Sequence, residues 1–374
     1  QAYHLIRDAG GYESLVGNWS AADAIPFLLA DFAQGLEYFA LEDGFQALPC
    51  RIASAFEERG DRIVTGHTLA RIDRDSAADR PSLRLTFHRN EANGPGSRGA
   101  VADRDTVEVT ARHVVLALPR RAIEMLHPDS VLFRSPRVVS DIGMVLAQPA
   151  FKIFACYARP WWRTTRGIVA GRTVTDLPVR QCYYWVTGAE HHGDVPWVTG
   201  APQPAGSRGA SSALMASYND GTSVEFWKGL VRNTERYAPR AEVCPPGVGI
   251  PLATPGTIAP AALVNELQRQ LRELHGLSSV DDPRTADLIA PYFAVCRDWT
   301  EDPFGGGWHF WKIGVDSQRI RRRMQRPYPD LPLYICGEAW CAQQGWVEGA
   351  LESADEMLER HLLRADRREQ AIRV

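Results

Sequence analysis

At 374 residues the chain is long enough for two or three domains of about 150 residues each. Hydrophobic residues at 45% and charged residues at 23% exclude global disorder. Lys and Arg number 42 against 45 Asp and Glu, a formal charge of -3, which leaves no basic field for nucleic acid. The first forty residues read as helical, with apolar periodicity over 21–39, Ser20 as a candidate N-cap and Pro26 near the helix start. A turn at Asp43-Gly44-Phe45 opens a second helical pattern over 47–58, closed by Gly60. Alternating segments over 62–73, 82–88 and 106–110 predict a strand meander. The continuous apolar run 113–118, stopped by Pro119, predicts a strand buried on both faces. Helix, meander and buried strand together define an α/β core.

The middle of the chain, 123–316, is richer in Trp and Pro and has loop-like stretches at 200–209 and 245–260. Strands are expected at 151–157 and 181–186, and an amphipathic helix at 261–275. This segment reads as a second domain inserted into the first. A short apolar strand at 333–336 and a helix over 346–365 close the chain. No apolar run reaches the roughly 18 residues of a membrane span, because Gln148, Pro149 and Lys152 break the longest one. No membrane span is therefore expected, and the compartment stays open between cytoplasm and exterior. The first residues, Gln1-Ala2-Tyr3-His4, show neither an initiator Met nor a signal pattern, so a processed or trimmed start is expected.

Seven cysteines without a CxxC pair argue against a zinc site and a disulfide framework. Whether Cys336 and Cys341 bond is open, and the sequon Asn18-Trp19-Ser20 carries little weight. Gly94-Pro95-Gly96-Ser97-Arg98-Gly99 matches GxGxxG by letter, but a strand rather than a helix follows it, so it reads as a hairpin loop. There is no GxSxG elbow and no HExxH, and His191-His192 has no partner at ligand spacing. No metal site is expected. The run Arg319, Arg321, Arg322, Arg323 and Arg326 reads as a solvated face.

The segment 333–354 is the informative one. A buried strand delivers Gly337 and Glu338 to its carboxyl end, where open α/β sheets bind ligands. A carboxylate there can accept hydrogen bonds from sugar-like hydroxyls. Gly345 permits close backbone approach, and the helix start at Trp346-Val347 offers free N–H groups to an electron-rich oxygen.

Gly337-Glu338-Ala339 followed by Gly345-Trp346-Val347-Glu348-Gly349-Ala350 resembles the C-terminal FAD motif of the flavin amine oxidase family, with bacterial L-amino acid oxidases the nearer match. Supporting segments fall in the family's order: the turn at 43–45 with Leu48, the strand 63–72, the strand His113 to Pro119, Lys152-Ile153-Phe154 before Trp161-Trp162, and the glycine-rich run 302–311. The resemblance implies an FAD-binding domain with an inserted mixed-sheet substrate domain. It divides the chain into a helical segment 1–40, FAD-binding parts 41–122 and 326–365, a substrate domain 123–325 and a tail 366–374. It also implies an N-terminal βαβ unit with GxGxxG and a carboxylate-pairing Arg, neither of which is found in this sequence. The chain is accordingly expected to be incomplete at its N-terminus, a subunit or processed fragment of a hetero-oligomer completed by a second polypeptide.

By the same resemblance, Lys152 corresponds to the lysine that holds a water against flavin N5, and Trp346 and Trp308 to the aromatic walls of the amine slot. Glu338 would bind the ribityl chain, and the Trp346-Val347 amides, reached through Gly337 and Gly345, would face the pyrimidine oxygen. Covalently linked relatives carry a Cys in the glycine run, where this chain has glycines and Trp308, so non-covalent FAD is expected. The implied reaction oxidises an L-amino acid with O2 and yields hydrogen peroxide. The alternatives are an oxidase of another amine or biosynthetic intermediate, and a non-catalytic scaffold. Tyr183, Tyr184 and Trp185 are candidates for lining the substrate site, though core packing explains them equally.

Overall fold

The computed structural model describes residues 19–31, 41, 44–76, 80–90, 105–185, 212–232, 235–244, 257–277 and 290–363. The GxGxxG-like stretch 94–99, His191-His192 and the loop 200–209 lie outside the described residues. Contacts divide the chain into two units: one holds the described residues of 148–300, the other those of 19–31, 45–147 and 301–363.

The first unit is built on a five-stranded antiparallel sheet. Its strands are β6 (Ala150–Tyr157), β7 (Gly171–Val174), β8 (Gln181–Tyr184), β9 (Ser212–Asp220) and β10 (Phe293–Asp298), in the order β10-β6-β9-β8-β7. In β6 the period-two alternation sends Phe151, Ile153, Ala155 and Tyr157 into the core and leaves Lys152, Phe154 and Cys156 half-buried on the opposite face. Helices α5 (Trp161–Arg166), α6 (Val224–Val231) and α7 (Ala261–Leu274) belong to the same unit. On α7, Leu263, Val264, Leu267 and Leu271 form the buried stripe at helical spacing. They join Trp161, Trp162 and Trp227, all fully buried, in one core.

The second unit carries α1 (Ala21–Asp31), α2 (Ala47–Glu58), the antiparallel meander β1 (His67–Asp75), β2 (Ser82–Arg89) and β3 (Thr106–Ala111), and a parallel pair, β4 (Val114–Ala117) with β12 (Leu333–Cys336). It also contains α3 (Arg120–Glu124), α4 (Pro136–Ile142), β11 (Trp308–Trp311), which pairs with β5 (Val145–Gln148), α8 (Ser317–Gln325) and α9 (Val347–Met357). Ile72, Leu83, Leu116, Leu132, Trp311 and Ile335 sit at its core.

The structure departs from the sequence expectations at several points. The first meander strand starts at His67 rather than at 62, leaving Ile63 and Val64 exposed. Strand β4 is buried on one face only: Val114 and Leu116 point into the core, while Val115 is 41% exposed. The alternation of a strand with one packed face has replaced the two-sided burial expected from its composition. The arginine run is not a uniform solvated face. Arg321 pairs with Glu356 of α9 at 3.2 Å, and Arg323 joins Arg137 on the carboxylate of Asp141, which is 3% exposed. Those arginines tie α8 to α9 and α4. None of the seven cysteines forms a disulfide, Cys336 and Cys341 included. The last helix is regular only to Met357 and continues as a wider π turn over Leu358–Leu363.

His275 sets one pH-dependent element of the first unit. Its Nδ1 lies 2.8 Å from the Leu271 carbonyl, a donor's position, so the neutral ring accepts at Nε2 from the Tyr184 hydroxyl at 2.6 Å. Burial holds its pKa below the ordinary imidazole value, with nearby Arg166 acting in the same direction. The unfolded chain therefore takes up this proton first. The contribution of His275 to stability is complete above about pH 6.5 and is lost as the pH falls toward the lowered folded value. The urea midpoint should fall between about pH 7.5 and pH 5, and the fall should be smaller in His275→Gln. An unchanged pH slope in that variant would overturn the assignment.

Candidate active site

Strand β12 ends at Gly337, whose φ of 120° and ψ of 180° are reached at little cost only by glycine. Its N–H donates to the Ser353 hydroxyl at 3.2 Å, tying the strand end to α9. A Cβ built on Gly337 meets nothing within 4 Å, so open space lies beside this backbone. Glu338 follows in a single 3-10 turn, with its side chain 24% exposed.

The carboxylate of Glu338 gathers donors from two other segments. Its Oε1 accepts the His309 N–H at 2.8 Å and the Gly345 N–H at 2.8 Å, and its Oε2 accepts from His309 Nδ1 at 2.7 Å. A carboxylate offers about four lone-pair directions, so Oε2 retains one for a further donor. The Nδ1 contact fixes His309 as a donor on that side. Its Nε2 is buried without a hydrogen-bond partner among the described residues, as is Nε1 of Trp308.

Gly345 has φ 85°, and its Cβ position lies 3.4 Å from the Trp308 ring. Trp308 is 8% exposed and packs among Trp19 (5.5 Å between centroids), Phe310 (5.8 Å) and Phe27 (6.4 Å, stacked). Trp346 is the N-cap of α9 and is 51% exposed, and no side chain caps that helix start. The first-turn amides after Trp346 are thus open to an acceptor. Gly349, one turn in, allows the helix to lie against the preceding loop. A Cβ there would overlap the Gln343 carbonyl oxygen and come within 2.6 Å of Cys341 Sγ. Burial pushes the Cys341 thiol up to about 12, with Glu338 adding to it, so the thiol stays neutral.

The structure thus brings Gly337, Glu338, Gly345, Trp308, Trp346 and Val347 together in the second unit. Lys152 belongs to the first. It is half-buried on β6, burial lowers its pKa, and its ammonium stands 4.9 Å from the centroid of the Tyr218 ring. His309 lies within the glycine-rich run 302–311, where the sequence assigns it no role. Its pairing with Glu338, 29 positions away, is a tertiary contact without a local signal. A signal for Lys152 was present and unused: Lys152, Lys228 and Lys312 are the only lysines among 42 basic residues. Among the described residues, no group of three or more His, Cys, Asp or Glu side chains could hold a metal ion.

The family model for flavin containing amine oxidoreductases matches residues 4–236 and 244–356. The chain belongs to this family, a class of α/β flavoproteins whose cofactor is FAD. Among curated proteins it is similar to Aplysianin-A of Aplysia kurodai, 26% identical over 339 residues, covering 88% of this chain and 53% of that protein. It is likewise similar to achacin of Lissachatina fulica, 26% identical over 333 residues, 87% of this chain and 54% of the relative. A third relative is the flavin-dependent L-tryptophan oxidase RebO of Lentzea aerocolonigenes, 26% identical over 297 residues, 79% and 47% of the two chains. The chain spans about half the length of the curated relatives it matches.

The packing of Gly349 makes a direct prediction. Gly349→Ala should lower stability by about 1–3 kcal/mol through overpacking, read as a drop in thermal midpoint. Ala350→Gly, at the next helical position, should cost only about 1 kcal/mol. Equal losses in the two variants would show that the close approach is not a constraint.

Proposed function

We propose that this chain acts as a subunit or processed fragment of an FAD-dependent L-amino acid oxidase that reduces O2 to hydrogen peroxide. The observation that carries the reading is the family match across almost the whole chain, joined to a Glu338-centred turn with donors and acceptors of the required kinds. Support for the substrate class comes from the relative named as an L-tryptophan oxidase.

The residues of the second unit suit a flavin nucleotide. Open space beside Gly337 admits a close ligand, the spare lone pair of Glu338 Oε2 suits one ribityl hydroxyl, and the uncapped start of α9 suits an anionic or electron-rich oxygen. The unmatched Nε2 of His309 and Nε1 of Trp308 are further polar atoms that a bound group can satisfy. The glycine run offers no thiol to a covalent link, so FAD is held non-covalently. The bound flavin supplies the two-electron chemistry, accepting hydride from the substrate and passing the electrons to O2.

In this reading Trp346, with Trp308 behind Gly345, shapes an apolar slot that orients the carbon bearing the neutral amine. Lys152 holds a water and places positive charge where O2 gains electrons. The amine loses a hydride and a proton to give the imino acid, and water then releases the 2-oxo acid and ammonia. Two electrons and two protons convert O2 to hydrogen peroxide. Segments 41–122 and 326–365 serve the cofactor, and 123–325 the substrate.

Ile52 and Phe56 on α2 and Val115 on β4 stay exposed, apolar surface of the kind that further protein covers. The comparisons give no support to a separate second chain. Among the described residues no helix is long and apolar enough to cross a membrane.

Native purification followed by a visible spectrum and a peroxide assay over the twenty L-amino acids tests the proposal. A flavin band near ~450 nm with amino-acid-dependent peroxide is expected, and a denaturing gel distinguishes one polypeptide from two. Protein that stays colourless with added FAD would sink the reading. Lys152→Met should slow flavin reoxidation by roughly 100-fold while anaerobic reduction by substrate changes far less.

A further inference from the structure

We propose that Tyr218 is the positioning residue for Lys152, holding its ammonium over the phenol ring in place of a carboxylate. The proposal rests on the catalytic reading of Lys152 above and adds the means by which the cation is retained. Lys152 and Tyr218 are directly paired across β6 and β9, and the ammonium lies 4.9 Å from the ring centroid, within cation–π distance. No carboxylate lies within ion-pair distance of Lys152 among the described residues, whereas Lys228 has both Glu225 at 3.2 Å and Asp298 at 3.9 Å.

The neighbours act in a consistent sense. On the other flank, β10 places Arg297 opposite Lys152 in the register, with its guanidinium 5.7 Å from the centroid of the Trp299 ring. From β9 and β8 the titratable groups are Tyr218, Asp220 and Tyr183; Asp220 acts electrostatically on Tyr218, and the two tyrosine ring centroids lie 6.2 Å apart. The Tyr183 hydroxyl donates to Oε1 of the fully buried Gln181, whose Cα is in register with Tyr218. Burial raises the Tyr218 hydroxyl well above the ordinary phenol value, so the ring faces Lys152 as a neutral π surface. Burial alone lowers the Lys152 pKa; the ring opposes it and fixes where the charge sits.

The test uses the flavin-loaded protein with its lysines reductively 13C-dimethylated. With three lysines in the sequence, Lys→Arg variants at 228 and 312 assign every resonance. In the parent, the Lys152 methyl signals should lie upfield of the other two through the ring current of Tyr218. Tyr218→Phe should keep that shift and the Lys152 titration. Tyr218→Leu should lose the shift and lower the Lys152 pKa by roughly 0.5–1.5, the equivalent of a cation–π contact. The pH profile of flavin reoxidation should move in the same direction, and Tyr218→Phe should restore it. Parent methyl signals at the ordinary position, or identical titrations in the Phe and Leu variants, overturn the proposal. If Tyr218→Leu does not fold, the parent ring-current shift and Tyr218→Met still decide. If Lys152→Met leaves reoxidation unchanged while the ring-current shift is present, the catalytic reading fails and the cation–π contact stands.

Discussion

The carboxylate of Glu338 is where the turn between β12 and α9 meets β11. One acceptor group collects the backbone N–H of His309, the ring N–H of His309 and the backbone N–H of Gly345. Three donors converging on one side chain require an acceptor-only group. Glutamine would turn an NH2 toward at least one of them, and a hydroxyl could not span them. Once this contact forms, the loop from 338 to 346 has a fixed end and Gly345 is drawn against the Trp308 ring, with its φ of 85°. The start of α9 is then left without a side-chain cap. Gly337 and Gly349 extend the same constraint, one at a backbone angle open mainly to glycine, the other where no Cβ fits beside Gln343.

The five-stranded sheet of the first unit works differently. The alternation along β6 gives one face to a core with three fully buried tryptophans and keeps the other half-buried, where Lys152 and Tyr218 stand in register. The choice of lysine there is chemical. Arginines also rest on rings here, Arg134 over Tyr328 at 4.3 Å among them, but an ammonium is a compact, strongly hydrated point charge that can carry a water beside the ring.

The elements set by local pattern were legible in the sequence: α2 and the core stripe of α7, the meander, and the strand β12 before Gly337. What it concealed depended on distant partners. The composition of 113–118 resembles a doubly covered strand, but the second face of β4 has no cover among the described residues, and Val115 stays exposed. The arginines at 319, 321, 322, 323 and 326 look like a solvated face until Glu356 and Asp141 arrive from α9 and α4. Trp308 is expected as a wall by the family resemblance, whereas its burial follows from packing against Trp19 and Phe27, nearly three hundred positions away, as well as its neighbour Phe310. The pairing of His309 with Glu338 belongs to the same class. Each is a contact that exists only after the chain has folded.

The two units therefore hold different kinds of functional information. In the second, the proposed recognition is built from backbone: glycines at special angles, open amides at a helix start, and one glutamate that orders them. Such a cradle tolerates little change in shape, because its donors are fixed to the chain. In the first, the proposed chemistry rests on a side chain whose charge is set by burial and by the face of Tyr218. A balance of that kind can be tuned by single substitutions without altering the sheet. The proposed oxidase needs both, since hydride transfer depends on placement of the reacting carbon and reduction of O2 on the local electrostatics. On this account, substitutions around Glu338 change whether the cofactor is held, and substitutions around Lys152 change how fast the held cofactor is returned to its oxidised state.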